Sequence, residues 1–217
     1  MGLRRYETYA SIKRAILNGS YGLHQQLQVD QLARQYGLSK TPIREALHLL
    51  QAEGLVEIVP RVGYFTTTIT VQEIADLFEL RLILERNAGR LAAERISDAE
   101  QAGLDAMHGS YAMGDAATYL PWLEHNRRFH YDVAAAAHNH DLAETIGRVV
   151  DRLGRVHWRV LDLLPFAPAD IQSHAAILEA LRRRDPDAVA AAIVGHIRAS
   201  RDAALKSILA SPGSLTL

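Results

Sequence analysis

Residues 29–53 place the tightest limit on what this chain can fold into. Val29–Tyr36 and Lys40–Glu53 are two short helical patterns separated by Gly37, Leu38 and Ser39. With Val29 as the first position, Leu32, Ala33, Tyr36, Gly37, Leu38, Ile43 and Ala46 fall where two crossed helices need apolar or small residues. Gly37 supplies the positive φ of a tight turn. Ser39 stands as an N-cap, and Pro42 lies in the first turn, where a missing N–H costs little. Ile43, Ala46, Leu47 and Leu50 form one side of the second helix, while Lys40, Thr41, Arg44 and His48 form a polar, cationic side. This is the pattern of a helix-turn-helix whose second helix enters a major groove of DNA.

The flanking residues extend the unit. A helix spans Arg4–Leu17, with Ile12 and Ile16 on one face and Asn18-Gly19 ending it. After Gly54, Leu55–Val59 reads as a strand, Pro60–Gly63 as a turn and Tyr64–Thr68 as the returning strand. That hairpin is a wing, and its Arg61 and Gly63 suit a minor-groove or backbone contact. Thr41 and the N–H groups at the helix start can hold phosphate. Lys40 and Arg44 can take either phosphate or guanine edges. A generic three-helix unit with a solvated charged face explains the helices but not the wing.

Charge is distributed unevenly. The net charge is −1, yet the first 68 residues carry eight Lys or Arg against five Asp or Glu, and the remainder carries 16 against 20. A basic head can bind phosphate while an acidic remainder keeps the protein soluble. The absence of cysteine excludes disulfides and thiolate metal sites. No apolar stretch approaches the ~20 residues of a membrane span. Met1-Gly2-Leu3-Arg4-Arg5 leads into no apolar run of a signal peptide, so a cytoplasmic location is expected.

From about residue 70 the chain reads helical throughout. Six spans are expected, at 70–96, 98–113, 115–137, 140–164, 168–184 and 186–210. Ser97-Asp98, Gly114-Asp115, His138-Asn139-His140, Pro165 with Pro168, and Asp185-Pro186 break them, and Pro121 bends the third or delays its start. The expected fold is therefore mainly α: a winged helix-turn-helix at 1–68 and an all-α six-helix bundle at 69–217. Asn126 and His130 are i, i+4 on the third span, His174 lies in the fifth and His196 in the sixth. Three imidazoles and one oxygen donor from different helices can converge on a divalent metal inside a bundle. Ten histidines are present, so chance groupings are also expected. His24, His48, His108, His125 and His157 receive no metal role.

Longer motifs carry a resemblance. Ser39-Lys40-Thr41-Pro42-Ile43-Arg44-Glu45-Ala46-Leu47, then Glu53-Gly54-Leu55-Val56, then Pro60-Arg61-Val62-Gly63, resembles the signature of the GntR family of bacterial regulators. Lys40 replaces the commoner Arg, keeping the charge but losing the guanidinium fork. Gly19-Ser20-Tyr21-Gly22-Leu23 departs from the usual Pro-Gly pair. The resemblance implies that Ser39, Lys40, Thr41, Arg44, Arg61 and Gly63 contact DNA, and that Pro42 and Glu45 shape the helix.

Asn126-Arg127-Arg128-Phe129-His130, Asn139, His174 to Leu181 and His196 resemble the helical ligand-binding FCD domain of the FadR-type subfamily, in its shorter, VanR-like branch of six helices. That implies a metal held by Asn126, His130, His174 and His196: zinc, with nickel or manganese as alternatives. Asn126 occupies a position that is often Asp, and a neutral amide is a weaker donor. Arg81 and Glu85 match the family's Arg-x-x-x-Glu, in which the Arg holds an effector carboxylate beside the metal. A solvated i, i+4 ion pair is the plainer reading of those two residues. Arg148, Arg152, Arg155 and Arg159 spread around one helix, and most of them are expected to be solvated.

The resemblance thus implies a metabolite-responsive regulator. It would bind a palindromic operator as a homodimer, dimerise through the helical domain, and respond to a small organic acid. Repression is the commoner mode in the family, with activation the alternative. A metal-dependent enzyme using the same four residues is a rival from another class, but the sequence offers no general base beside the histidines and such an enzyme has no need of a wing. A winged-helix protein-interaction module is a third reading.

Overall fold

The computed structural model describes residues 2–109, 119–160 and 168–210. The described residues fall into two units, divided between Thr70 and Val71.

The first unit contains α1 (Gly2–Leu17), β1 (Gln26–Leu27), α2 (Val29–Tyr36), α3 (Lys40–Ala52), β2 (Val56–Val59) and β3 (Gly63–Thr66). Ile12 and Ile16 of α1 meet Leu32 of α2 and the Ile43, Ala46, Leu47, Leu50 face of α3 in one core, closed by Leu27, Leu55 and Val56. Gly37 takes φ 63°, ψ 36°, and the Leu38 N–H donates to the Ala33 carbonyl at 3.0 Å, which ends α2. Half-buried Tyr9 donates its hydroxyl to Glu53, and the Lys13 ammonium lies 2.6 Å from that carboxylate, tying α1 to the end of α3. Burial, then the Glu53 carboxylate, pushes the Tyr9 phenol up to about 12.

The sheet has three strands where the sequence suggests two. The antiparallel order is β1-β3-β2, with Gln26 opposite Phe65 and Glu57 opposite Phe65 on the other side. Thr66 recruits the extra strand: its hydroxyl donates to the Gly22 carbonyl at 2.5 Å and accepts from the Gln25 N–H at 2.9 Å.

The second unit is helical: α4 (Val71–Arg95), α5 (Asp98–Gly109), α6 (Tyr119–Ala135), α7 (His140–Val160), α8 (Pro168–Arg182) and α9 (Pro186–Ala210). The expected residues 110–113, 115–118 and 161–164 lie outside the described ones; Pro121 falls in the first turn of α6. α5 opens with a capping box, in which the Ser97 hydroxyl and N–H both bond Glu100 and the Glu100 N–H donates back to Ser97 Oγ at 3.2 Å. α4 is the axis, packed by α6, α7 and α9. Ile74 and Phe78 of α4, and Phe129, Ile146, Leu181 and Ile193 of the other helices, are among the buried residues of this unit.

The α4–α9 approach depends on Gly89. A Cβ there would stand 2.3 Å from Ile193 Cδ1 and 2.8 Å from Val189 Cγ1. Gly89→Val is expected to destabilise the protein by about 1–3 kcal/mol through overpacking. Gly103→Ala, where an added Cβ meets nothing within 4 Å, should instead stabilise it by about 0.5–1 kcal/mol. Thermal melts of the two variants check both signs.

Candidate nucleic-acid interface and metal centre

The outer side of α3 is the cationic one. Ser39, Lys40, Thr41, Arg44 and His48 are exposed, opposite the buried Ile43, Ala46, Leu47 and Leu50. Ser39 has the extended backbone of an N-cap, φ −71°, ψ 167°, but its side chain makes no capping bond. The first N–H groups of α3 therefore remain open to an anion. Lys40 Nζ pairs with Asp30 of α2 at 2.6 Å, and that hydrogen bond lowers the Asp30 carboxyl. The pair is exposed and worth little to stability. His48 Nε2 lies 3.4 Å from the Tyr64 hydroxyl, so the reading helix touches the wing strand.

The wing tip is strained at one residue. The Val62 N–H donates to the Val59 carbonyl at 3.1 Å around Pro60 and Arg61, and Arg61 takes φ 65°. Pro followed by a positive φ is the arrangement of a type II turn, where Gly is the ordinary occupant. An exposed Arg held there costs about 1 kcal/mol. Gly63 at φ 144° also needs its glycine. Arg61→Gly is expected to leave stability unchanged or raise it by up to about 1 kcal/mol, while weakening DNA binding; urea melts and fluorescence anisotropy read the two effects separately.

In the second unit, α6, α8 and α9 bring His130, His174 and His196 together. One ligand nitrogen from each lies within 4.8 Å of the others, and all three residues are buried. Asn126 is also buried, one turn before His130 on α6. His130 Nδ1 lies 2.8 Å from Glu85 Oε2. Burial would raise the Glu85 carboxyl, but Arg81 and His130 outweigh it and hold the group far below its ordinary value. An ionised Glu85 can only accept, so His130 donates from Nδ1 and presents a lone pair at Nε2. That Nε2 faces His196 Nε2 at 3.2 Å, while His196 Nδ1 is 2.8 Å from Ser173 Oγ.

His174 supplies the test of whether a metal fits. Its ring stacks on Phe129 with centroids 4.0 Å apart, and its buried Nε2 has no hydrogen-bond partner among the described residues. Burial, then the neighbouring His196 and His130, pushes its imidazole well below the ordinary value, so it is neutral at pH 7. An orphaned buried acceptor costs about 1–3 kcal/mol. Three imidazoles converging on one point, one of them oriented by a carboxylate, suit a divalent cation of zinc type.

Arg81 and Glu85 are buried in this centre rather than solvated. Arg81 Nε bonds Glu85 at 2.5 Å, and its Nη2 reaches His130 Nε2 at 3.1 Å. Spacing missed Ser173, because it precedes His174 yet meets His196. It also missed His108 and His125, which stand beside the cluster on α5 and α6. His138 sits in the turn after α6 at φ 51° and meets Glu100. Arg148 is exposed, whereas Arg152 pairs with Glu73; the side chains of Arg155 and Arg159 lie outside the described ones.

Residues 5–66 match the gntR family of bacterial regulatory proteins, and residues 76–199, more than half the chain, match the FCD domain. The chain belongs to the GntR family, FCD-domain branch. This regulator is 31% identical over 179 residues to the Nta operon transcriptional regulator of Aminobacter aminovorans, covering 82% of this chain and 83% of the relative. It is 30% identical over 178 residues to the probable D-xylose utilization operon transcriptional repressor of Paenarthrobacter nicotinovorans, covering 78% and 74%. The solved structure of E. coli McbR/YncC has the same fold, with a TM-score of 0.82 at 20% identity over 95% of this chain and 99% of that one. The family and these relatives are transcriptional regulators, which sets aside the enzyme alternative. Among the described residues no helix is long and apolar enough to cross a membrane.

Proposed function

We propose that this GntR-family regulator is a repressor that binds a palindromic operator as a homodimer in the cytoplasm and is switched by a small carboxylate at the buried histidine centre. The observation that carries the sensor half is the orphaned Nε2 of His174 beside two facing imidazoles and a buried guanidinium. His130, His174 and His196 would hold a divalent metal, with Asn126 as the oxygen donor. When bound, the metal supplies a Lewis-acid anchor for carboxylate oxygens. Arg81 contributes directional N–H donors to the same carboxylate. Glu85 orients His130 and keeps Arg81 in place, so the site is preorganised before the effector arrives.

On the output side, Ser39, Thr41 and the α3 N-terminus hold phosphate, Lys40 and Arg44 reach into the major groove, and Arg61 and Gly63 bring the wing onto the duplex. A two-fold operator needs two such heads. Leu80 and Ile83 stay 38% and 53% exposed on α4, an apolar pair available to a second copy of the helical unit. The effector can shift DNA binding only through different affinities for the DNA-competent and DNA-incompetent states.

The test is anisotropy on DNA upstream of the protein's own and neighbouring genes, across salt concentrations, with zinc and candidate carboxylic acids added. Salt-sensitive, sequence-selective binding that a carboxylate weakens is the expected result. Binding to no such fragment would sink the reading.

A further inference from the structure

One carboxylate stands among the cations of the DNA-reading unit. Asp30 lies in the first turn of α2, with Arg34 one turn further along the same helix, and both are exposed. Asp30 Oδ1 is 2.6 Å from Nζ of Lys40, the first residue of α3. The Lys40 hydrogen bond, aided by the charges of Lys40, Arg34 and Arg44, lowers the Asp30 carboxyl below its ordinary value, so at pH 7 it is ionised and can only accept. Three cations thus bear on a single acid where α2 meets the start of α3. Stability is a poor account of that arrangement. An acid in the first turn of a helix favours its dipole, which explains the acid but not its pairing with Lys40, and an exposed ion pair adds little. On a surface that meets DNA the acid also repels the phosphate backbone and occupies the Lys40 ammonium. A lysine left alone would be the better phosphate clamp, so the pair suits a different target.

Base edges supply that target. In the major groove a G·C pair shows the cytosine N4 amino donor beside the guanine O6 acceptor, about 2.9 Å apart because the two are hydrogen-bonded to each other. Asp30 Oδ1 and Lys40 Nζ present an acceptor and a donor at nearly the same spacing. An A·T pair also shows a neighbouring donor and acceptor, but a methyl group flanks the thymine O4, whereas guanine offers the ammonium N7 as a second acceptor.

We infer that Asp30 is a specificity-determining residue that, together with Lys40, reads one G·C pair in each half-site: the carboxylate accepts from cytosine N4 and the ammonium donates to guanine. The inference rests on the proposed placing of α3 in the major groove.

Selection by the full-length protein from duplexes with a randomised core tests this, followed by anisotropy on the recovered duplex and on a mixed-sequence duplex of the same length. Wild type should recover a G·C pair at one defined position in each half-site. Asp30→Ala should lose about tenfold of that preference, the discrimination of a single good base contact. It should also bind the mixed-sequence duplex more tightly, with a slope of log K against log salt steeper by about 0.9 for each Lys40 released onto a phosphate. Thermal melts should place the variant close to wild type. An unchanged preference in the folded variant overturns the inference. So does an equal change on both duplexes, which marks a residue that tunes charge or fold alone, and so does loss of an A·T rather than a G·C preference. Should Asp30→Ala fail to fold, Asp30→Ser decides by the same comparison. If wild type recovers no preferred sequence, the major-groove reading falls with the inference; if it recovers one whose preferences do not depend on Asp30, that reading stands and the inference alone fails.

Discussion

Replacing Lys40 and Arg44 together by alanine is expected to abolish operator binding while leaving the protein folded. Both side chains are exposed on α3, and the only ion pair lost among the contacts described above is the exposed one between Lys40 and Asp30. Such a pair contributes about 0–1 kcal/mol. Cations in the first turns of a helix also oppose its dipole, and alanine has the higher helix propensity, so α3 itself should gain slightly. DNA binding responds in the opposite direction. A base-edge contact is worth about 1–3 kcal/mol, and a dimer loses each contact twice. The expected loss in affinity is at least about 100-fold. Salt titration separates the two roles. If Lys40 and Arg44 touch phosphate, the slope of log K against log salt shrinks by about 0.9 for each contact removed; if they read guanine, sequence selectivity falls and the slope holds. Unimpaired operator binding by the folded double variant would favour the protein-interaction module instead.

His174→Ala should have the second large effect, on the input half alone. One of three buried imidazoles disappears, and with it the nitrogen that lacks a partner. Elemental analysis should find close to one metal per chain in wild type and little in the variant. Added zinc should raise the melting temperature of wild type only, because a ligand at 1,000 times its Kd stabilises the native state by about 4 kcal/mol. Without metal the two proteins should differ less. The variant loses the stack on Phe129 and leaves a cavity, yet it also removes a bare buried nitrogen, and these effects oppose each other. Operator binding should persist in His174→Ala and no longer respond to carboxylates. His138→Ala, which changes an exposed histidine paired with Glu100, is the control that should keep its metal. Equal metal content in wild type and His174→Ala would rule out the proposed ligand set.

Much of the DNA-reading unit was legible because its signals are local. Gly37, Ser39 and Pro42 punctuate a stretch of a few residues, and the apolar face of α3 repeats at helical spacing. β1 was not legible: Gln26 and Leu27 show no strand period, and they pair only because Thr66, far along the chain, bonds Gly22 and Gln25. The centre divides in the same way. Asn126 and His130 are one helical turn apart and could be paired on spacing, whereas their meeting with His174 and His196 depends on how three helices pack. Arg81 and Glu85 read as a solvated pair on spacing alone; the fold buries them because α6, α7 and α9 surround α4. His108 carries no sequence signal, since nothing local indicates which way α5 faces.

Arg81, Glu85 and Gly89 follow one another at four-residue intervals along α4, and Val189, Ile193 and His196 do much the same along α9. The backbone approach that Gly89 permits therefore also sets how far α9, which carries His196, stands from α4, which carries Arg81 and Glu85. A methyl group at position 89 would work as a shim: Gly89→Ala, gentler than valine, is expected to shift His196 relative to Arg81 and Glu85 without replacing any residue of the histidine centre, and elemental analysis of the variant would read the consequence for its metal content.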